Sequence, residues 1–195
     1  MLEAGGQLVS TTGDKALLTA AEFEALEAYY RERGDRVELI EGEVVTLSPI
    51  GPRNAACTER THALLLRRLA GERALVRCQL PVRLSDLSEP QPDVAIVRFR
   101  SDHYENAHPG PDDILCLIEM ADTSLRHDRL SKARVYAAAG VPEYLVVNLQ
   151  DSVLELHRNP GPRGYTSVRL LRRGDRLTLL AFPDLAIELA ELLPA

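Results

Sequence analysis

A mixed α/β fold, one sheet flanked by helices with an antiparallel β meander at the C-terminal end, is what this sequence predicts, and three observations carry it. "DDILCLIEMADTS" (112–124) holds six apolar residues, Ile114 through Ile118 and Met120, broken only by Glu119. That is the pattern of a central strand covered on both faces. "SLRHDRLSKARVYAAAG" follows as a helix from about Leu125 to Ala139, and "PEYLVVNL" (142–149) is again a strand. Three further β-rich segments, "SVLELHR", "YTSVRLLR" and "RLTLLAF", form the meander, with turns at 159–164 and 173–175.

The remaining elements follow in chain order. Residues 1–18 carry Gly, Ser and Thr without periodicity and are expected to be a loose leader, leaving 19–195 as a single domain. Thr19 and Glu22 have capping-box spacing and start a helix that Gly34 stops. "RVELIEGEVVTLSP" alternates apolar and polar residues on both sides of Glu41-Gly42, a hairpin signal. A helix is expected from Arg53 to about Leu69, with Ala56, Ala63, Leu66 and Leu69 toward the core and Arg53, Arg60 and Arg67 along an outer stripe. "LVRCQLPVRL" (75–84) reads as a strand interrupted at Pro81, "SEPQP" (88–92) as a loop and "DVAIVRF" (93–99) as the next strand. Ser124 is the expected cap and Gly140 the stop of the helix after the apolar strand, and a short helix is expected over 187–193.

Composition narrows the function. The chain has 195 residues, 45% of them apolar, which is enough for one core. A net charge of -6 argues against a general polyanion binder, because non-specific nucleic-acid affinity comes from cations that neutralise phosphates. A nucleic-acid partner therefore needs a local basic patch, and the Arg53/Arg60/Arg67 stripe is the best one available. Cys57, Cys78 and Cys116 fit neither a zinc pattern nor a disulfide framework and are expected to be reduced. With no export signal and no long apolar span, a cytoplasmic protein is expected. G-x-x-x-x-G-K and G-x-S-x-G motifs are both absent, which disfavours nucleotide hydrolysis and serine-esterase chemistry. The five histidines show no ligand spacing, and His127, which neighbours the helix lysine in sequence, points away from it on a regular α-helix and gets no role.

Glu119 poses the chemical question. Burying an ion costs several kcal/mol, roughly, so a carboxylate there needs a cation or a proton. Asp93 at the start of one strand, Glu119 late in the next and Lys132 on the following helix sit where a sheet can gather them. Two carboxylates on adjacent strands can hold a hard cation through oxygen, with a lysine to orient or help deprotonate an attacking water. The plainer reading of each residue alone is structural: Asp93 satisfying loop amides, Glu119 in a dry ion pair, Lys132 bridged to Asp128 one turn earlier.

Pro92-Asp93, Ile118-Glu119, Asp128, Lys132, Tyr136 and "AGVPEYLVV" (139–147), with "ELIEGEVVTLSPIGPR" (38–53) and "SEPQPDVAIV" (88–97), resemble the putative restriction endonuclease family, small bacterial PD-(D/E)XK-type proteins. The resemblance spans roughly 19–193. It implies a restriction-endonuclease-like sheet and a Mg2+- or Mn2+-dependent phosphodiesterase acting on DNA, with Asp93 and Glu119 as metal ligands and Lys132 as the catalytic lysine. That lysine lies on the helix, since Ala121 occupies the usual E-x-K place. Glu38 matches an acidic position that can approach the same metal. Members often carry a histidine just after the "SPIGPR" stretch, where this chain has Asn54; Asn neither titrates near neutral pH nor ligates as imidazole does, but can cap a helix or position a phosphate. A homodimer is expected of a small nuclease that cuts both strands. A catalytically inactive nucleic-acid-binding module, and a structural protein with a buried Glu119–Lys132 salt bridge, are the competing classes.

Overall fold

The computed structural model describes residues 16–122 and 124–194. The leader expected over 1–18 lies outside the described residues as far as residue 15. Leu18, at the end of that range, is already engaged, donating its N–H to Gly42 O at 2.9 Å.

Helix α1 (Ala20–Glu32) begins with the reciprocal capping box of Thr19 and Glu22 and is followed by Gly34 at φ 79°. Its Ala20 and Phe23 bury against Val37 and Leu39 of strand β1 (Val37–Ile40). β1 turns into β2 (Glu43–Thr46) through Glu41 and Gly42, both at positive φ, the conformation a two-residue hairpin turn requires.

The main sheet has six strands in the order β3-β4-β5-β6-β7-β8. They are β3 (Leu75–Cys78), β4 (Val94–Val97), β5 (Ile114–Ala121), β6 (Glu143–Asn148), β7 (Val153–Gly161) and β8 (Gly164–Leu171). Every neighbouring pair is antiparallel except β5–β6, which is parallel. A parallel pair needs a crossover, supplied here by α3 (Leu125–His127), a π-helical turn (Asp128–Lys132) and α4 (Ala133–Ala138), followed by Gly140 at φ 80°.

Each face of the sheet has its own core. Cys116, Ile118 and Met120 of β5 join α2 (Pro52–Arg68) and the C-terminal elements, while Leu117 and Ala121 face α4 with Tyr136, Tyr144 and Val146. The unalternating apolar run is thereby explained, and Glu119 falls on the α4 side, between Leu117 and Ala121. Among the described residues no helix is long and apolar enough to cross a membrane. All three cysteines are free.

Several expectations need correction. α2 buries Cys57, Thr58, Thr61, Leu64 and Leu65, whereas Ala56 is exposed and Leu66 is 48% exposed. Small alanines bias a helix face weakly, and threonine reads as polar surface although Thr58 satisfies its hydroxyl on Asn54 Oδ1 at 3.2 Å. The strand expected through residue 84 ends at Cys78, ahead of Gln79 at φ 51°. β7 and β8 pair antiparallel, as expected of the C-terminal meander, and do so as a continuation of the main sheet, whereas the third segment does not join them. β9 (Arg176–Leu179) pairs only with β10 (Phe182–Glu188), which replaces the start of the expected terminal helix and leaves α5 as Leu189–Leu192. Ser124 makes no side-chain cap; its hydroxyl donates to Asp128 Oδ2 at 2.7 Å.

Candidate active site

A cleft of about 360 Å³ opens where the start of β4 and the end of β5 meet the C-terminal end of β2, opposite its hairpin turn, the start of α2 and the π-helical turn. Asp93, Glu119, Asp128 and Lys132 line it, together with Arg36, Asn54, Gln91 and His127.

Strand pairing sets the two carboxylates. Val94 pairs with Ile118, so the antiparallel register places Asp93, one residue before β4, across from Glu119. Asp93 Oδ2 accepts the Met120 N–H at 2.8 Å and Oδ1 accepts from Gln79 Nε2 at 3.3 Å. The loop-amide reading of Asp93 is thus partly correct, but the amide belongs to the residue after Glu119 and pins Asp93 beside it.

Lys132 arrives from the crossover. Its Nζ lies 2.9 Å from Glu119 Oε1 and 3.1 Å from Glu38 Oε2, and all three side chains are at most 5% exposed. Tyr136, one turn later, donates its hydroxyl to the same Glu119 Oε1 at 2.8 Å. Burial and the facing carboxylate hold that phenol far above its usual titration range, so it remains a donor. The π-helical turn inserts an extra residue into the helix and re-aims the side chains beyond it. It brings His127 and Lys132, which a regular α-helix would separate by about 140°, to the same buried Glu38, with His127 Nε2 3.5 Å from Oε1.

Charge is unbalanced in this cluster. Three carboxylates, Glu119, Glu38 and Asp128, bear on one ammonium, and Asp93 adds to the negative charge around Glu119. Burial pushes the Glu119 carboxyl up to about 8; Lys132 opposes the shift, while Asp128, Asp93 and Glu38 add to it. Asp128 is raised by burial in the same way, against Lys132 and the Ser124 hydrogen bond. For Lys132, burial favours the neutral amine, but Glu119, Glu38 and Asp128 outweigh it and hold the pKa above the ordinary lysine value. An ammonium is the species at neutral pH, so this lysine is suited to orienting water and stabilising anionic charge, and ill-suited to removing a proton.

Excess negative charge, all-oxygen donors and a carboxyl that burial pushes toward its protonated form fit a hard divalent cation. Asp93 and Glu119 could hold it, each retaining lone pairs beyond the contacts above. Among the described residues no three His, Cys, Asp or Glu side chains converge as a ligand set, so water or substrate phosphate would complete the shell. Glu38 is engaged with Lys132, His127 and the Gln91 amide (3.1 Å) and is absent from the cleft lining, which sets it behind the lysine.

A family model described as "Uma2: Putative restriction endonuclease" matches residues 20–190. The chain belongs to this family. The Uma2 fold assignment agrees with a crystal structure described as a putative nuclease belonging to DUF820 from Anabaena variabilis: TM-score 0.69 and 14% identity, over 90% of this chain and 97% of that one. No curated protein matches. Membership in Uma2 supports a nuclease function.

Three cleft residues of this Uma2 chain have no settled role in its sequence alone. Asn54, in the first turn of α2, donates its amide to Met120 O at 2.5 Å and so ties the helix to the peptide after Glu119. Arg36 lines the cleft, and only its place just before β1 could draw attention to it. His127 has no role on a regular α-helix, but the chain forms a π-helical turn there, and the turn gives it one. Arg53, Arg60 and Arg67 are all exposed on α2 and have no carboxylate partner among the described residues, with Arg53 adjoining Asn54 at the cleft.

Proposed function

We propose that this chain is a metal-dependent endonuclease hydrolysing DNA phosphodiester bonds, with Mg2+ or Mn2+ held by Asp93 and Glu119. One observation supports this most strongly. The two carboxylates stand across from each other on β4 and β5 and line a cleft beside an ammonium that Glu119 and Glu38 fix in place.

A cation bound there supplies Lewis-acid polarisation of the phosphate and lowers the pKa of bound water. The chain's own residues do the rest. Lys132, protonated throughout, orients the attacking water and stabilises charge building on the phosphoryl oxygens. Tyr136 and Lys132 both donate to Glu119 Oε1, which fixes the carboxylate and leaves Oε2 as its other oxygen. Asn54 holds the Met120 carbonyl, and the Arg53/Arg60/Arg67 stripe carries the backbone phosphates of the flanking DNA, offsetting the acidic net charge locally. A homodimer would present two such clefts to the two strands of a duplex.

A second reading, a catalytically inactive nucleic-acid-binding module, draws on Asn54, which stands in the place of a frequent family histidine and brings no titratable group. Incubating supercoiled plasmid with purified protein in Mn2+ or in EDTA, beside Asp93→Asn, separates the two. The nuclease reading expects nicked and linear DNA with Mn2+ alone, and none from the variant. DNA bound but uncut under every condition would favour the binding module.

A further inference from the structure

Glu38 and His127 present two polar atoms that are shut away from solvent and lack a hydrogen bond: Glu38 Oε1 and His127 Nε2. They lie 3.5 Å apart. The other oxygen of Glu38 is fully engaged, by Lys132 Nζ at 3.1 Å and by the Gln91 N–H at 3.1 Å. Two facing lone pairs would repel, whereas a proton on Nε2 satisfies both atoms at once. Nδ1 is not among the buried unpartnered atoms, and the ring, 33% exposed, lines the cleft with Asp93, Glu119 and Lys132.

We propose that His127 is a positioning residue: it carries its proton on Nε2, donates it to Glu38 Oε1, and so locks Glu38 onto Lys132. Its catalytic consequence rests on the nuclease reading above. A carboxylate held at one oxygen can rotate about its last bond; one held at both cannot. With Glu38 fixed, the Lys132 ammonium keeps its place beside Glu119 Oε1, where the reacting phosphate has to find it. The π-helical turn is what makes this possible, because it sets His127 and Lys132 on opposite oxygens of one carboxylate.

The test compares His127→Gln, His127→Asn and His127→Leu in the full chain. The glutamine Nε2 lies the same number of bonds from Cα as the histidine Nε2, so glutamine can donate to Glu38; asparagine and leucine cannot reach or cannot donate. Expected is a single-turnover cleavage rate within about threefold of wild type for His127→Gln. For His127→Asn and His127→Leu the rate should fall about 10–100-fold, the range seen when an outer partner of a site is removed. Mn2+ and DNA affinities should hold within about twofold in all three. A His127→Gln variant as slow as His127→Leu would overturn the proposal, as would His127→Leu cleaving at the wild-type rate. One readout is independent of cleavage: long-range 15N–1H correlation spectra should show the His127 proton on Nε2, and Glu38→Gln should shift that resonance. A proton on Nδ1 with Nε2 bare would overturn the proposal even in an active enzyme. If wild type cuts nothing while Nε2 is protonated, the nuclease reading fails and the hydrogen bond stands.

Discussion

Replacing Lys132 with methionine keeps the volume and removes the ammonium, leaving Glu119 and Glu38 facing each other without their shared counter-charge. Both contacts are short, 2.9 and 3.1 Å, and both carboxylates are buried. Removing one partner from a buried ion pair costs about 3–5 kcal/mol, because the remaining charge keeps its desolvation penalty and loses its compensation. For a chain of this size that corresponds to a fall in Tm of roughly 6–20 °C. The assay is urea denaturation followed by far-UV circular dichroism at pH 7 in EDTA, reading the midpoint and slope for Lys132→Met, Glu119→Gln and the double variant. The double variant should be less destabilised than the sum of the singles, since both substitutions break the same Lys132–Glu119 contact. A loss below about 1 kcal/mol in Lys132→Met, the range of an exposed pair, would refute the reasoning, and strict additivity would refute the coupling between the two residues.

Two further predictions concern charge. The folded chain holds the Glu119 proton up to about pH 8, whereas the unfolded chain releases it near 4.5. Between those values the unfolded state binds fewer protons, so this group makes the metal-free protein less stable as pH rises, by up to ~1.4 kcal/mol per pH unit. Metal-free Glu119→Gln should lack this component, seen as a shallower decline of stability than wild type across pH 5–8; parallel curves would contradict it. Replacing Arg53, Arg60 and Arg67 together by glutamine, in an Asp93→Asn background that cannot cut, should weaken DNA binding and reduce the slope of log affinity against log salt by up to about 3, roughly one for each phosphate left without its arginine. An unchanged slope would remove the stripe from the DNA surface.

Much of this architecture is legible in local chemistry. The Thr19–Glu22 capping box, the Glu41-Gly42 turn and the Gly140 stop act through neighbouring backbone groups, so a few residues determine them. The β5 run is legible because two covered faces erase alternation, and a lone Glu119 within it marks a site. The features that local chemistry hides depend on distant partners. Thr58 and Thr61 read as surface until the sheet is packed beneath α2. β9 alternates cleanly, but its partner does not: Phe182–Glu188 contains a proline and an aspartate and pairs through a register shift. The π-helical turn has no sequence signal in Asp128–Lys132, yet it decides that His127 meets Glu38. Asp93, Glu119 and Lys132 are readable as a set because sheet register and a crossover helix bring such positions together. The position of Glu38 behind the lysine is not, since nothing in the hairpin sequence tells which carboxylate the lysine will share.

The most direct test of whether Asp93 and Glu119 form a cation site, as opposed to a dry ion-pair cluster, is calorimetric titration of metal-free protein with Mn2+ near pH 7, beside Asp93→Asn and Glu119→Gln. A saturable site in wild type, absent from both variants and accompanied by proton release to the buffer as the metal displaces the Glu119 proton, is the expected result. No heat of binding in a folded wild type, or a site that survives both substitutions, would contradict it.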